Sequence, residues 1–513
     1  MPSVDISLSS VLEFLSKNRG KFLNALVVYA GYRWWRAWAR GRSLPPGPRG
    51  LPYFGHYLRW PPKEAYWTLA QKYNFGLFYV KEASMENIII SDYETALDRR
   101  SALYSGRPPF ILANDYASLG RHMLVMPYGE KWRKMRAAIH PEVTPTKVSS
   151  YVPLATAEVK IALIKILKNP EAFHPYGRQI IGNLSFDQMQ QVNAVEVLYS
   201  FFGVMGGQPL DHIPFLRYLP KFLTPGHRTG MRLQNLTRKC FDTLFDDMLG
   251  RISNGQMDSN AAMAARWWKD REVLGFDKDD VSMLAGTMFE GATDTTAGLM
   301  WTFMILSVSH PDYYKKAQEE LDKLCGDTPP TLEDFERCEY VRAYCKEVLR
   351  WYGKFASGLP HKYTGEKDDF YNGYRIPSGS ILRPFNSAMA FNPKTYGQIY
   401  NVDLFEPRRW IERPGGVGKA SLDDGLVTFG FGRRVCPGKT LALLSYTLLA
   451  SQAFYYLDIG QKEGAVLNKP YDDLNARSGK ADTSKFYIKA RPGRQTELEH
   501  DAETAREFLK NLQ

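Results

Sequence analysis

The sequence predicts a mainly helical domain with a small β-rich part, on three observations. The longest helical pattern runs from Val281 to His310 and is ended by Pro311. A second apolar run (Leu441, Ala442, Leu443, Leu444, Leu448, Leu449) follows Pro437 and Gly438 and reads as another helix. Strand-like runs are few and short: Gly76 to Val80 with Ile88 to Ile90 as one sheet, then Phe454 to Ile459 and Phe486 to Ala490. The 513 residues are 44% hydrophobic and 24% charged, and no repeat or low-complexity tract divides them, so one large unit is expected. Cys240, Cys325, Cys338, Cys345 and Cys436 form no Cys-x-x-Cys pair, which argues against a disulfide framework or a zinc site. Reduced thiols fit a cytosol-facing domain. A formal charge of +11 suits an acidic partner or an anionic lipid surface, and no nucleic-acid module is recognisable.

Near the start, Phe22 to Tyr32 is apolar, with Lys17, Arg19 and Lys21 before it and Arg33, Arg36, Arg40 and Arg42 after it. It is shorter than the roughly 20 apolar residues a spanning helix needs. Trp34, Trp35 and Trp38, interleaved with arginines, suit a headgroup boundary. Residues 1–44 therefore read as a monotopic or partly inserted membrane-association segment, with a core helix or truncated signal sequence as the alternative. Pro45-Pro46-Gly47-Pro48 and Gly50-Leu51-Pro52 form a stiff run that opens the main domain, residues 45–495. Residues 496–513 are a charged tail, expected as a solvated helix or a disordered end.

Chemistry concentrates in a few places. Trp132 and Arg136 are four apart on one face of a helix that begins near Gly129. Phe201 to Pro220, rich in Gly and Pro, breaks helical patterning and is expected as a mobile entrance. Glu290 to Thr296 places small and hydroxyl residues in a helix centre, where propensity disfavours them. Glu347 and Arg350, three apart, can pair on another helix. Cys436 lies within Phe429-Gly430-Phe431-Gly432-Arg433-Arg434-Val435-Cys436-Pro437-Gly438, where a helix is expected to begin with Pro437 in its first turn. A helix N-terminus favours thiolate over thiol, so this stretch reads as a socket for a haem iron. Gly430, Gly432 and Gly438 let backbone approach the macrocycle, Phe429 shields the sulfur, and Arg434 reaches a propionate. The alternative for a lone cysteine before a helix is buried packing.

Phe-x-x-Gly-x-Arg-x-Cys-x-Gly fixes five positions at once, and at these residues the chain resembles the cytochrome P-450 family, the haem-thiolate monooxygenases. The resemblance implies the P-450 fold, a single large haem domain with haem b ligated by Cys436. It implies that Trp132, Arg136 and His361 hold propionates. It makes Asp294 and Thr295 the acid-alcohol pair that delivers protons to dioxygen, after Gly291-Ala292; that dipeptide reverses the commoner Ala-Gly order, so a helix kink displaced by one residue is expected. Phe110 and Ile111, in the loop Gly106 to Tyr116, and Gly291, Ala292, Ala356, Ser357 and Leu359 are implied to line the substrate pocket, with Ser478, Gly479 and Lys480 dipping toward it. Glu347, Arg350 and Arg409 match the family's buried, structural Glu-Arg-Arg cluster.

No flavin or nicotinamide fingerprint occurs in the chain, so electrons must arrive from a partner. The resemblance implies NADPH-cytochrome P-450 reductase, with cytochrome b5 as a second donor, at the endoplasmic reticulum membrane with the catalytic domain facing the cytosol. Phe405-Glu406-Pro407-Arg408-Arg409-Trp410 and Gly373 to Gly379 are most similar to filamentous-fungal members, which implies secondary metabolism and a small, largely apolar substrate. Family members from eukaryotes usually carry a full anchor, and the segment at Phe22 departs from that. The rival readings are oxidative coupling, isomerisation or dehydration at the same haem, and a non-catalytic haem sensor.

Overall fold

A computed structural model describes residues 43–51, 54–56, 63–98, 102–172, 203–205, 208–220, 223–260, 262–353, 358–413, 421–467 and 482–511, with isolated positions at Gly20, Asn24, Val28, Gly31 and Val197. The apolar segment at Phe22, the residues Ala356 and Ser357, and the turn at Ser478 to Lys480 lie outside the described residues. Helices α1 (Glu130–Ile139), α2 (Val152–Lys168), α3 (His227–Ser253), α4 (Lys278–Ser309), α5 (Pro311–Cys325), α6 (Glu339–Tyr352), α7 (Lys439–Tyr456) and α8 (Gln495–Asn511) form the body. No described helix is long and apolar enough to cross a membrane.

α4 is the axis of the molecule. Asp277 caps it by accepting the Asp280 N–H at 2.7 Å, and Pro311 ends its reach by opening α5. Its residues are apolar on nearly every side, which is the pattern of a helix surrounded by others, and it packs against α3, α6 and α7. Phe303 of α4 sits edge-on to Tyr344 of α6 and to Tyr446 and Phe454 of α7, with ring centroids 5.4 to 6.1 Å apart.

The β part is a four-stranded sheet in the order β1 (Leu77–Glu82), β2 (Met85–Ile90), β6 (Ile381–Pro384), β3 (His361–Lys362). β1 and β2 pair antiparallel from Leu77↔Ile90 to Glu82↔Met85, as the single expected sheet requires. β2 then pairs parallel with β6, which brings β3 and His361 beside the chain's first third. Lys362 N–H bonds to Gly106 O at 3.0 Å and so ties the Gly106 to Tyr116 loop to this edge. Two hairpins complete the set, β4 (Asp369–Tyr371) with β5 (Tyr374–Ile376) and β7 (Leu457–Gln461) with β8 (Phe486–Ala490).

Two expectations are corrected here. The strand expected from Phe454 begins at Leu457, because α7 continues through Phe454, Tyr455 and Tyr456. Partners from α5 satisfy its terminal carbonyls: Tyr314 Oη–H donates to Ala453 O at 2.8 Å and Gln318 Nε2 to Phe454 O at 2.8 Å. The charged tail is neither fully solvated nor disordered: α8 buries Leu498, Ala502 and Ala505 and packs on α2, with Lys160 Nζ to Asp501 Oδ2 at 2.6 Å. The described part of the entrance segment is structured, with a helical turn at Pro209–His212 and a 3-10 turn at Pro214–Tyr218.

Candidate active site

Cys436 stands on a turn just before α7. Its N–H bonds to Phe429 O at 2.9 Å and closes the loop. That closure takes the backbone through φ +72° at Gly430 and +69° at Gly432, a region that a side chain would strain. α7 begins at Lys439 with Gly438 as its cap, so Pro437 precedes the helix and does not occupy its first turn. The Gly438 N–H, turned back by this geometry, reaches the Cys436 sulfur. Burial pushes the thiol up, and the Gly438 amide, Arg136 and Lys439 pull it down by less. Burial thus opposes the thiolate that the helix terminus and its amides favour, and coordination to iron supplies the further stabilisation of the deprotonated sulfur. Phe429 is half-buried against the main core.

Lys439 beside this turn pairs with Asp423 at 3.1 Å, but three guanidiniums nearby have no carboxylate partner among the described residues. Arg434 donates from Nε to Ser105 O at 3.0 Å and from its two Nη atoms to Met123 O at 3.3 Å and Met126 O at 2.8 Å, and its guanidinium lies 4.4 Å from the Trp132 ring centroid. Arg107 donates from Nε to Leu124 O at 2.9 Å and from Nη1 to Pro360 O at 2.8 Å. Burial lowers Arg107 to about 10 and, with Arg107 and Arg136 nearby, lowers Arg434 to about 9. His361 Nδ1 bonds to Tyr104 O at 2.8 Å and its ring stacks on Phe431; burial first, then Arg107 and Arg434, push it down to about 3, so it is neutral. Among the described residues no carboxylate pairs with Arg107, Arg136 or Arg434, and the Trp132 Nε1–H is buried without a partner. A ligand bearing carboxylates fits this set, and haem carries two.

α4 presents the other reactive stripe. Gly291 and Thr295 are exposed and Ala292 and Asp294 half-buried, whereas Thr293, Thr296 and Ala297 are buried, so one face of the helix borders open space. Thr295 Oγ1–H donates to Gly291 O at 2.6 Å, and Thr293 does the same to Phe289 O at 2.7 Å. Tyr352 Oη–H donates to Thr295 O at 3.0 Å. The helix is continuous through this stretch, and the hydroxyls of Thr293 and Thr295 bond back to carbonyls one turn earlier.

The Glu-Arg-Arg residues meet in a buried knot. Glu347 and Arg350 pair in a fork at 2.7 and 3.0 Å with both side chains fully inaccessible. Arg409 Nε lies 3.5 Å from Glu347, and its Nη atoms bind the carbonyls of Tyr396, Tyr400, Asn401 and Leu404. Trp410 Nε1–H and the Glu406 N–H also donate to Glu347, at 2.8 and 3.1 Å. Thr428, one residue before Phe429, donates to Leu349 O at 3.2 Å and fastens the cysteine loop to α6.

The pocket residues divide. Phe110 and Ile111 are buried in an apolar cluster with Leu112, Leu210 and Leu233. Ile111 also lines a cavity of about 560 Å³ with Asp115, Tyr116, Leu119, Arg217, His227, Met231 and Gln234, between the helical segment Ile111–Ala117 and α3. Gly291, Ala292 and Leu359 are not in its lining, so it is an outer cavity and not the space beside Thr295. Asp211 accepts the Ile111 N–H at 2.8 Å and ties the entrance segment to this roof.

The family model for cytochrome P-450 matches residues 45–463. The chain belongs to the cytochrome P-450 family. A P-450 monooxygenase of Armillaria gallica is 31% identical over 445 residues, covering 82% of this chain and 84% of that protein. The P-450 monooxygenase claR of Ampulloclitocybe clavipes is 33% identical over 430 residues, covering 79% and 78%. FogE of Aspergillus ruber, also a P-450 monooxygenase, is 28% identical over 442 residues, covering 82% and 81%. This P-450 is accordingly a haem-thiolate monooxygenase with iron held by cysteine, dioxygen as co-substrate and electrons from a redox partner. Its sequence motifs did not disclose Arg107. The available signal was a guanidinium inside the otherwise apolar, Pro-rich stretch after Gly106.

Proposed function

We propose that this P-450 inserts one oxygen atom of O2 into a small, largely apolar organic substrate in fungal secondary metabolism. Its electrons come from NADPH-cytochrome P-450 reductase at the endoplasmic reticulum membrane, with the catalytic domain facing the cytosol. The observation that carries the site assignment is the anion-free set of Arg107, Arg136, Arg434 and the Trp132 N–H around Cys436.

Bound through Cys436, haem supplies the reductive activation of dioxygen. Arg434, Arg107 and Arg136 would hold its carboxylates, and His361, neutral and fixed by Tyr104 O, would complete that edge. Phe429 and the Gly438 amide shield and polarise the sulfur. Thr295 holds its proton on Gly291 O; one χ1 rotation frees Oγ1 to pass it into the open space, with Asp294 as the replenishing acid. Phe110 and Ile111, buried in the apolar roof cluster, and Leu359 are the described residues that would exclude water from the substrate. The test is reconstitution with the reductase and NADPH under 18O2, beside the carbon monoxide difference spectrum of the reduced protein. A long-wavelength Soret band and product carrying one 18O atom are expected. Product formed without 18O would overturn the monooxygenase reading, and a folded Cys436→Ala protein that keeps the thiolate spectrum would overturn the ligand assignment.

A further inference from the structure

Residues 121 to 126 touch two parts of the molecule at once. On one side, His122 Nε2 meets Glu290 Oε2 at 2.9 Å, with the side chains 2% and 3% exposed. The Leu124 N–H bonds to His122 Nδ1 at 3.3 Å, so Nδ1 accepts and the Nε2–H donates to the carboxylate. Glu290 immediately precedes Gly291 on α4. Arg121 adds contacts to Asp277 at 2.5 Å and Asp280 at 2.7 Å, where α4 begins. On the other side, the carbonyls of Met123 and Met126 hold Arg434 and that of Leu124 holds Arg107. One short strap therefore joins α4 to two of the site's guanidiniums.

The pair is costly as mere packing. Glu290 Oε1 is buried with no partner among the described residues, and an apolar pair of similar volume would avoid that penalty. What an apolar pair lacks is direction. The Nε2–H to Oε2 bond fixes the imidazole, the imidazole fixes the Leu124 amide through Nδ1, and the carbonyls of 123, 124 and 126 follow.

We propose that His122 and Glu290 are positioning residues that lock this strap to α4 so that its carbonyls aim Arg107 and Arg434 at the haem carboxylates. The proposal rests on the reading that those arginines meet haem. The experiment follows transfer of haem from the intact holoenzyme to excess apomyoglobin, with the thermal midpoint measured in parallel. Outer-shell partners typically change cofactor affinity or activity by about 10- to 100-fold, and an acceleration of that size is expected for Glu290→Leu and for His122→Phe. Glu290→Gln, whose amide oxygen still accepts from Nε2–H, is expected to restore slow transfer. Adding Glu290→Leu to the double variant Arg107→Ala/Arg434→Ala is expected to bring no further acceleration, since the pair acts through those two guanidiniums. Additive acceleration, or a lowered midpoint with unchanged transfer, would make the pair a packing element only and overturn the proposal. If neither Arg434→Ala nor Arg107→Ala alters transfer, the reading of the arginines falls and the proposal with it. Should Glu290→Leu fail to fold, His122→Phe and Glu290→Gln carry the same comparison.

Discussion

Glu347 shows how a single side chain can be committed in every direction. It receives Arg350 in a fork, Trp410 Nε1–H, the Glu406 amide and, at longer range, Arg409, all in a region closed to water. Removing one partner strands a buried charge, so Arg350→Ala is expected to cost about 3–5 kcal/mol in denaturant unfolding of the holoprotein. Thr295 is the opposite case: it is exposed, and its hydroxyl bonds backward along its own helix while its carbonyl accepts from Tyr352. Thr295→Ala should leave stability nearly unchanged, yet lower product formed per NADPH by roughly 10-fold or more, with the missing electrons recovered as peroxide. The Glu347–Arg350 fork and the cysteine turn were legible because each lies within a short motif, whereas Arg409, 62 residues from Glu347, was placed by resemblance to the family. Arg107, His122 and Glu290 were not legible, since their partners are carbonyls and side chains brought close only by the fold, as with Glu290 and His122, 168 residues apart.

At the scale of elements, the roof over the site hangs on Asp211. Its carboxylate accepts the Ile111 amide, and burial, reinforced by Asp115, raises it to about 7 despite the opposing Ile111 and Gln208 amides. The unfolded chain ionises near pH 4, so between about pH 4 and pH 7 the native state holds the extra proton and stability falls as pH rises. Asp211→Asn keeps an acceptor and removes this dependence. Its advantage over wild type is expected to grow by up to about 1.4 kcal/mol per pH unit across that window and then level off, as read from unfolding midpoints at several pH values. α8 offers a second measurement. Leu498 is fully buried on the body, and Leu498→Ala is expected to cost about 2–5 kcal/mol, which a solvated tail would not feel. Its spacing of apolar residues was visible in sequence, but the surface of α2 that receives it was not. The misplaced start of β7 has a similar origin: Phe454, Tyr455 and Tyr456 favour strands by type, and α5 overrides that preference by satisfying the helix end.

For the whole molecule, a formal charge of +11 favours the proposed contact with an acidic reductase surface. Association with an acidic reductase surface should weaken with salt. Raising ionic strength from about 0.01 M to about 1 M shortens the screening length from about 30 Å to about 3 Å. The first electron transfer is then expected to slow by about 10-fold or more in stopped-flow. Deleting residues 1–42 should move the protein from the membrane pellet to the supernatant. The general architecture was legible because α4 is apolar on almost every side and the strands are short; the sheet order was not, because the parallel β2–β6 pairing joins Asn87 to Ile381 across most of the chain.

The strap from Arg121 to Met126 has a consequence for how such proteins diverge. It holds two arginines by main-chain oxygens alone, and every amino acid supplies that oxygen. The grip on the arginines therefore does not depend on which side chains stand at 123, 124 and 126, and what limits exchange at Met123 and Met126 is their packing in the main core. Relatives that share no letter with this one in those three places can still share the anchor.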